Sequence, residues 1–294
     1  MSDVPIQILL ALGTALAFAT SSVLVRFGVE HSSPLSALFV TVSVNVVVLW
    51  TLSFALFDVS VDLWAWRYFI LAGVFAPVLG RLCNYIGLER VGVNLTLPIS
   101  NMNPIVSVFL AVLLLGETLS LRGAVGAFAA IFGGVVLATS RTGGTPFGSI
   151  RYRDLLFPIA GAVIYGSVQL VRKVGVDLVP EPTVGAAVNL TTSWVIVGAF
   201  LIASSDGRSA LSMPRNDLVY FSLAGVASSL GLASLYAALL SGTVVVVTPI
   251  LNATPLFGLV LAYILLRDRE PFTPRVVVGT ALVVVGVALL AMAS

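Results

Sequence analysis

Long apolar runs separated by short polar breaks cover almost the whole chain. Each run is near 20 residues long, the length that an α-helix needs to cross the hydrocarbon core of a bilayer. Charged residues, Gly/Pro clusters and polar turns mark the ends of the runs. The pattern predicts ten membrane-spanning helices, at about 6–27, 35–57, 67–87, 92–115, 122–139, 154–175, 184–203, 217–240, 243–266 and 273–292.

The fourth and ninth runs carry the same motif. Residues 98–104, Pro-Ile-Ser-Asn-Met-Asn-Pro, return 151 positions later as Pro-Ile-Leu-Asn-Ala-Thr-Pro at 249–255. Over the 36 positions around the motif 12 are identical, more than shared apolar composition explains. After a two-residue insertion the spacing is 153, and it pairs Glu117 with Glu270. The chain is therefore one membrane unit written twice.

The number of helices in each half predicts how the halves are related. Each half contains five helices, so the second half must enter the membrane from the side opposite to the first. The predicted fold is an all-α membrane protein with ten transmembrane helices in two inverted five-helix repeats. We expect the first repeat at 1–140, a linker at 141–153 and the second repeat at 154–294, because only the linker is rich in Gly, Pro and basic residues.

Composition agrees with a membrane protein and excludes several other classes. Hydrophobic residues make up 59% and charged residues 10% of the chain, whereas soluble domains contain about 25% charged residues. A net charge of +2, scattered between apolar runs, gives no basis for nucleic-acid binding. One cysteine and one histidine argue against disulfides, most histidine catalysis and metal sites.

These features set the expected partners and location. We expect no cofactor, no metal and no enzymatic activity, since phosphate-binding and zinc-protease motifs are absent from the sequence. The N-terminus lacks the basic region of a secretory signal, so the first run should remain as a helix. The expected partners are the lipid bilayer and a small-molecule substrate, and the expected location is the cell membrane, as a multi-pass protein. The sequence leaves the oligomeric state open and is compatible with a monomer.

The repeated prolines predict kinks in the fourth and ninth helices. An interior proline removes a hydrogen bond and leaves carbonyls that need other partners. Asn101 and Asn252 each lie three residues before the second proline of their motif. Their amides either repair the freed main-chain groups or line a cavity, and the sequence leaves both alternatives open. The predicted kink residues are Pro98, Pro104, Pro249 and Pro255.

Arg81 is the sharpest candidate for chemistry. It lies about nine residues before the Glu89-Arg90 turn and shares a helix face with Asn84 and Tyr85. A charged residue inside a membrane helix is costly and is treated as functional by default. The alternative is that its long stem lets the guanidinium snorkel to the interface.

The sixth helix offers a second polar face, formed by Tyr165, Gln169 and Arg172 at i, i+4 and i+7. No Asp or Glu lies inside a predicted helix away from its ends, which argues against proton-driven export of cationic drugs. The predicted substrate-binding residues are Arg81, Asn84, Tyr85, Asn101, Tyr165, Gln169, Tyr236 and Asn252.

The duplicated halves, the Pro-rich fourth helix and the Gly116-Glu117 turn before a Gly-spaced fifth helix resemble the drug/metabolite transporter superfamily, specifically its ten-helix EamA branch. The second copy departs from that pattern, with Arg269-Glu270 where the family usually has Gly-Glu. The resemblance implies secondary transport of small metabolites through a central cavity, with the fifth and tenth helices at the periphery. The helix-one glutamate of the small multidrug relatives has no counterpart here.

The sequence therefore predicts a secondary transporter that moves a small organic metabolite by alternating access, with an amino acid or organic anion favoured by Arg81. A flippase for a lipid-linked substrate is the alternative, and a membrane scaffold or enzyme is a further one. Orientation stays divided. Predicted loops on the N-terminal side hold four basic residues and those opposite hold ten, which places the termini outside, whereas the family resemblance places them in the cytoplasm.

Overall fold

The computed structural model describes residues 6–29, 32–91, 96, 99–139, 152–203, 213–266 and 274–293. Apart from one short 3₁₀ turn and one π-helix, every regular element in these ranges is an α-helix. We number the membrane spans in chain order. Spans 1 to 5 are Ile6–Val29, Pro34–Leu56, Leu63–Val74 continued by Phe75–Gly80 and Arg81–Val91, Asn103–Leu114, and Leu121–Thr139. Spans 6 to 10 are Leu156–Leu178, Pro182–Ala203, Arg215–Ser241, Val244–Leu251 continued by Thr254–Leu266, and Pro274–Ala293.

The predicted all-α fold with ten spans is confirmed. Eight helical stretches are long and apolar enough to cross a membrane, and two shorter apolar helices, Asn103–Leu114 and Leu121–Leu137, complete the set. Large apolar side chains such as Phe109, Phe128 and Phe200 are more than half exposed on the outside of the bundle. In a bilayer these faces contact lipid, so their exposure is the expected arrangement.

Local sequence signals set where several spans begin. Asp62 precedes span 3, and its Oδ1 accepts hydrogen bonds from the main-chain N–H groups of Trp64 and Ala65, at 2.9 and 3.2 Å. Ser33 precedes span 2 and accepts from the N–H of Ser36 at 3.1 Å, with Pro34 at the first helical position. Such caps satisfy donors that have no partner within the helix.

Equivalent contacts recur in the two halves. Gly28 of span 1 lies against the Phe221 ring of span 8, and a Cβ atom at Gly28 would collide with that ring. Gly175 of span 6 lies in the same way against the Phe69 ring of span 3. Spans 1 and 8 therefore repeat the packing of spans 6 and 3, as a two-fold axis between the halves requires.

Spans 5 and 10 pair along the same axis through four glycines. A Cβ at Gly133 would lie 2.8 Å from the carbonyl oxygen of Gly279, and one at Gly279 would lie 3.1 Å from that of Gly133. Gly126 and Gly286 meet reciprocally, at 2.9 and 2.7 Å. Because each half holds five spans, this axis lies in the membrane plane. The two repeats are inverted, as the sequence predicts.

The π-helix Phe75–Gly80 breaks the equivalence of the halves. Gly73 packs on the carbonyl of Asn189 as Gly225 packs on that of Thr41, so these glycines are equivalent and 152 positions apart. Gly80 and Gly231, which pack on the rings of Tyr165 and Phe18, are equivalent and 151 apart. Span 3 thus holds one residue more than span 8 between these points. The wider π turn accommodates the extra residue.

Candidate functional site

Spans 4 and 9 are interrupted where their repeated motifs place the asparagines. Residues 101–102 and 252–253 form turns, and regular helix resumes at Asn103 and Thr254. The interruptions have the same hydrogen bonds, from Met102 N to Ile99 O at 3.1 Å and from Ala253 N to Ile250 O at 2.9 Å. The predicted kinks thus take the form of breaks. Pro104 and Pro255 lie at these breaks, Pro249 lies inside the helix that precedes the second break, and Pro98 lies outside the described residues.

Pro104 and Pro255 each free a main-chain carbonyl, and a neighbouring side chain binds it. The carbonyl of Ser100 would bond the nitrogen of Pro104 in a regular helix, but proline has no N–H. Asn103 Nδ2 donates to that carbonyl instead, at 2.8 Å. In span 9 the hydroxyl of Thr254 donates to the equivalent carbonyl, that of Leu251, at 2.7 Å. In each half, a side chain of the motif therefore provides the hydrogen bond that the proline cannot donate.

The two motifs meet at the centre of the bundle. Asn252, which is buried, donates from Nδ2 to the main-chain carbonyl of Asn101 at 3.2 Å. A few residues away, Ser107 Oγ of span 4 donates to Thr248 Oγ1 of span 9 at 2.9 Å, and both side chains are buried. Gly134 of span 5 approaches Asn252 so closely that a Cβ there would lie 2.7 Å from the Asn252 carbonyl. Polar atoms thus join the halves at the two-fold axis.

The start of span 9 is held by side chains from the first half. Both oxygens of Glu117 accept main-chain hydrogen bonds, from Val244 N at 3.0 Å and Val245 N at 2.9 Å. Gln7 Oε1 accepts from Thr243 N at 3.1 Å. Glu117 can turn back to this helix because Gly116 adopts a positive φ of 66°. A carboxylate here also complements the positive end of the helix dipole.

Arg81 begins the α-helix that follows the π turn and is half-buried. It forms no ion pair with the residues that the structure describes. Asn84, on the same face, accepts a hydrogen bond from Ser100 Oγ of span 4 at 2.7 Å. A Cβ at Gly161 of span 6 would lie 2.5 Å from Asn84 Oδ1, so Asn84 lies where spans 3, 4 and 6 meet. The side chain of Tyr85 lies outside the described part.

The polar face of span 6 runs through the bundle. The Tyr165 ring packs on Gly80 of span 3, and Gln169 one turn later is buried. Gln169 Oε1 accepts from Nη1 of Arg172 at 3.2 Å. The guanidinium carbon of Arg172 lies 5.7 Å from the centroid of the Tyr236 ring on span 8. The structure thus brings Gln169 close to Tyr236 through Arg172, a residue that was not in the predicted binding set.

Three further buried polar residues were missed from the sequence. Asn189 of span 7 and Thr183 near its start have side-chain polar atoms without partners among the described residues. The signal for Asn189 was a single amide within an apolar run. Asp217 of span 8 is 3% exposed and accepts from Ser32 Oγ at 2.6 Å. This buried carboxylate lies in the first turn of span 8, at a helix end as the sequence predicts for the acidic residues.

In the described part, no group of three His, Cys, Asp or Glu side chains lies close enough to hold a metal ion. Besides the carboxylates of Glu117 and Asp217, which bind main-chain N–H groups and Ser32, the polar side chains described above are amides, hydroxyls and guanidinium groups, which bind solutes by hydrogen bonding and charge. None of the paired acid and base groups that catalysis uses was identified in the described core. The arrangement is one that can bind a polar solute.

Comparisons with known proteins agree with this architecture. The model of the EamA-like transporter family matches the chain twice, over residues 5–139 and 153–292. A solved structure described only as "Crystal structure of protein" superposes with a TM-score of 0.77 at 18% identity, over 96% of this chain and 95% of that chain. At that identity the likeness shows the fold alone. A comparison with curated proteins found no match. Because the family model accounts for both halves, this multi-pass membrane protein belongs to the EamA-like transporter family and is a transporter of the drug/metabolite type.

Proposed function

We propose that this chain is a secondary transporter that moves a small organic metabolite, an amino acid or an organic anion, by alternating access. The observation that carries the proposal is a difference in packing between the two halves. In the second half, span 8 packs against both span 6 and span 7. In the first half, the described residues of span 3 pack much less closely on spans 1 and 2. The rings of Trp50 of span 2 and Trp66 of span 3 do meet, with centroids 6.0 Å apart, near the turn that joins these spans on the side of the termini.

The difference between the halves indicates which side of the bundle is closed. Arg172 and Tyr236 lie toward the side of the two termini, and their contact joins spans 6 and 8 there. The equivalent positions, Val25 and Tyr85, lie toward the opposite side. On the side of the termini, spans 6 and 8 are in contact. On the opposite side, spans 1 and 3 lack the equivalent contact in the described part. This difference supports a cavity that opens away from the termini.

Inverted repeats provide a second state without a new fold. In the second state, spans 1, 2 and 3 adopt the packing now seen for spans 6, 7 and 8, and spans 6, 7 and 8 adopt the packing now seen for spans 1, 2 and 3. The cavity then opens to the other side. The central contacts of spans 4 and 9 lie near the axis and can persist in both states. Spans 5 and 10 pack on each other through glycines and can form the fixed part of the bundle.

The predicted binding residues follow the path between the two sides. Arg81 and Asn84 lie toward the side opposite the termini, Asn101 and Asn252 at the centre, and Gln169 toward the termini. We assign Tyr85, Tyr165 and Tyr236 to the same path. Arg81 lacks an acidic partner in the described part, which supports an anionic group on the solute.

Counterflow in proteoliposomes tests this function. Vesicles are loaded with one unlabelled amino acid or organic acid, and uptake of the same labelled compound is followed. We expect transient accumulation of at least one compound above that of protein-free vesicles and of vesicles loaded with buffer. If no member of the panel accumulates with protein that is monodisperse and folded, the proposed function is wrong.

The same vesicles separate transport of a soluble metabolite from lipid flipping. A fluorescent phospholipid in both leaflets is reduced from outside with dithionite, and only a flippase exposes the inner half to reduction. We expect about half of the fluorescence to persist. Complete loss of fluorescence in sealed vesicles would favour the flippase alternative over the proposal.

A further inference from the structure

Arg172 has almost no partners although it is buried. Its side chain is 9% exposed, its only hydrogen-bond acceptor in the described part is Gln169, and its Nε has no partner there. The next residue, Lys173, forms an ion pair with Asp177 at 2.7 Å. These two neighbouring cations therefore differ. Lys173 is neutralised within its own helix, whereas Arg172 faces the bundle and has no carboxylate partner among the described residues.

The groups around Arg172 also have unused hydrogen-bonding capacity. The Tyr236 hydroxyl is fully buried near Arg172 but forms no hydrogen bond of normal geometry with a described residue, and both amide atoms of Asn189 likewise lack a partner there. Asn189 lies one turn after Gly185, where a Cβ would be 2.9 Å from Cε1 of Tyr236. Buried polar atoms without partners are rare in folded proteins. The Tyr236 phenol belongs to the ring that the Arg172 guanidinium lies over, and Asn189 lies one turn from the residue that contacts this ring. Together these groups of spans 6, 7 and 8 call for a ligand.

We propose that Arg172, with Tyr236 and Asn189, binds the oxyanion group of the transported solute, a carboxylate or a phosphate. A guanidinium presents a planar fork that donates two parallel hydrogen bonds to such a group. The phenol and the amide can donate to the remaining oxygen lone pairs. Phe69 packs against Tyr236 with ring centroids 5.8 Å apart and offers an apolar wall for the rest of the solute.

The position of Arg172 links binding to the opening of the bundle. Its guanidinium rests on the Tyr236 face, and this contact joins the two spans that close the side of the termini. An oxyanion that takes the guanidinium weakens this contact and favours separation of spans 6 and 8. This inference rests on the proposed transport function and adds the chemical class of the solute.

Binding to matched pairs of compounds tests the inference. The full-length protein is titrated with amino acids and their primary amides, succinate and succinamide, and glycerol 3-phosphate and glycerol, and the thermal unfolding midpoint is followed. For at least one pair we expect the compound with the oxyanion to bind at least about tenfold more tightly than its partner without it. Preference for the carboxylates identifies that group, and preference for glycerol 3-phosphate identifies phosphate.

Variants assign the preference to the residue. Arg172→Gln should abolish it, and Arg172→Lys should retain only part, since an ammonium lacks the planar fork. Arg153→Gln, at an exposed position preceding the same span, should leave it unchanged. An unchanged acid preference in Arg172→Gln overturns the inference, as does a wild type without any such preference. If Arg172→Gln does not fold, Tyr236→Phe decides instead, and unchanged acid affinity in that variant overturns the inference.

The counterflow assay keeps the two proposals apart. Transport of neutral and acidic compounds at equal efficiency contradicts the oxyanion site and leaves the transport function standing. Absence of transport of every compound by folded wild type contradicts the function itself.

Discussion

Asn252 donates a hydrogen bond from its side chain to the main-chain carbonyl of Asn101, at 3.2 Å. The two residues occupy the same position of the repeated motif, so the halves of the chain bind each other through equivalent residues. The bond is not reciprocal, because one residue contributes its side chain and the other its backbone. The Asn101 carbonyl is free to accept because Ile105 N donates to Met102 O instead, and Pro104 has no N–H.

This asymmetry predicts different costs for the same substitution. Asn252→Ala leaves a carbonyl unpaired in the apolar core and should lower the free energy of unfolding by about 1–3 kcal/mol. Asn101→Ala keeps the carbonyl and should have a clearly smaller effect. Thermal unfolding of both variants in detergent, monitored by intrinsic fluorescence, provides the measurement. Equal destabilisation of the two variants would show that the hydrogen bond from Asn252 to the Asn101 carbonyl does not determine the loss of stability.

Glu117 should stabilise the start of span 9 with both of its oxygens. Glu117→Ala leaves two helix N–H groups without acceptors and should cost about 1–2 kcal/mol of stability. Glu117→Gln keeps one acceptor and should recover part of the loss. Asp177→Ala removes an exposed i,i+4 ion pair and serves as the control, with an expected cost below about 0.5 kcal/mol. Chemical unfolding at two salt concentrations separates the capping bond from screened surface charge. A Glu117→Ala variant as stable as the control contradicts the assignment.

The seam between spans 5 and 10 should not tolerate a methyl group. A Cβ at Gly286 collides with the main chain at Ala130, so Gly286→Ala should force the two helices apart and cost about 1–3 kcal/mol. Gly13 of span 1 has open space around it, and Gly13→Ala should be neutral or stabilise by up to about 1 kcal/mol, because alanine favours helix. Melting temperatures of both variants at one detergent concentration test the contrast. A shift of both melting temperatures in the same direction and by a similar amount would contradict the expected contrast.

Deletion of one residue should be tolerated in span 3 and not in span 8. Removing Pro77 lets the π turn become regular α-helix and keeps the flanking contacts in register. Removing Ala227 from the regular helix of span 8 turns everything beyond it by about 100° and takes Tyr236 away from the core. Size-exclusion profiles of fluorescent fusions report folded protein. We expect a monodisperse peak for the first deletion and aggregation for the second; the reverse result would contradict the register argument.

Much of the fold followed from the sequence because membrane insertion depends on local properties. The length of an apolar run decides whether it can span a bilayer, and five runs per repeat decide that the repeats are inverted. The Pro-x-x-Asn-x-x-Pro motif likewise predicted interruptions of spans 4 and 9. The insertion in span 3 escaped notice, since one additional apolar residue among many leaves no mark in the sequence.

The site was less predictable because its groups come from distant parts of the chain. Arg172 was predicted on the polar face of the sixth helix, but its contact with Tyr236 of span 8 follows only from the fold. Asp217 is near a helix end, and its contact with Ser32 from another connection follows only from the fold. The roles of Asn103 and Thr254 depend on which carbonyls the prolines leave free. Hydrophobic patterns predict where the helices are. Which side chains face each other is decided by the packing of the helices, which these patterns do not predict.

The additional residue in the π turn of span 3 bears on energy as well as register. In the proposed alternating-access cycle, two copies with identical packing would make the inward-open and outward-open states equal in free energy, and an empty protein would populate both alike. One copy here has a π turn that the other lacks, so the states differ. Each 1.4 kcal/mol of difference changes their ratio about tenfold. A single inserted residue can thus make the empty protein favour one of the two states. A solute gradient must then shift the population away from that favoured state.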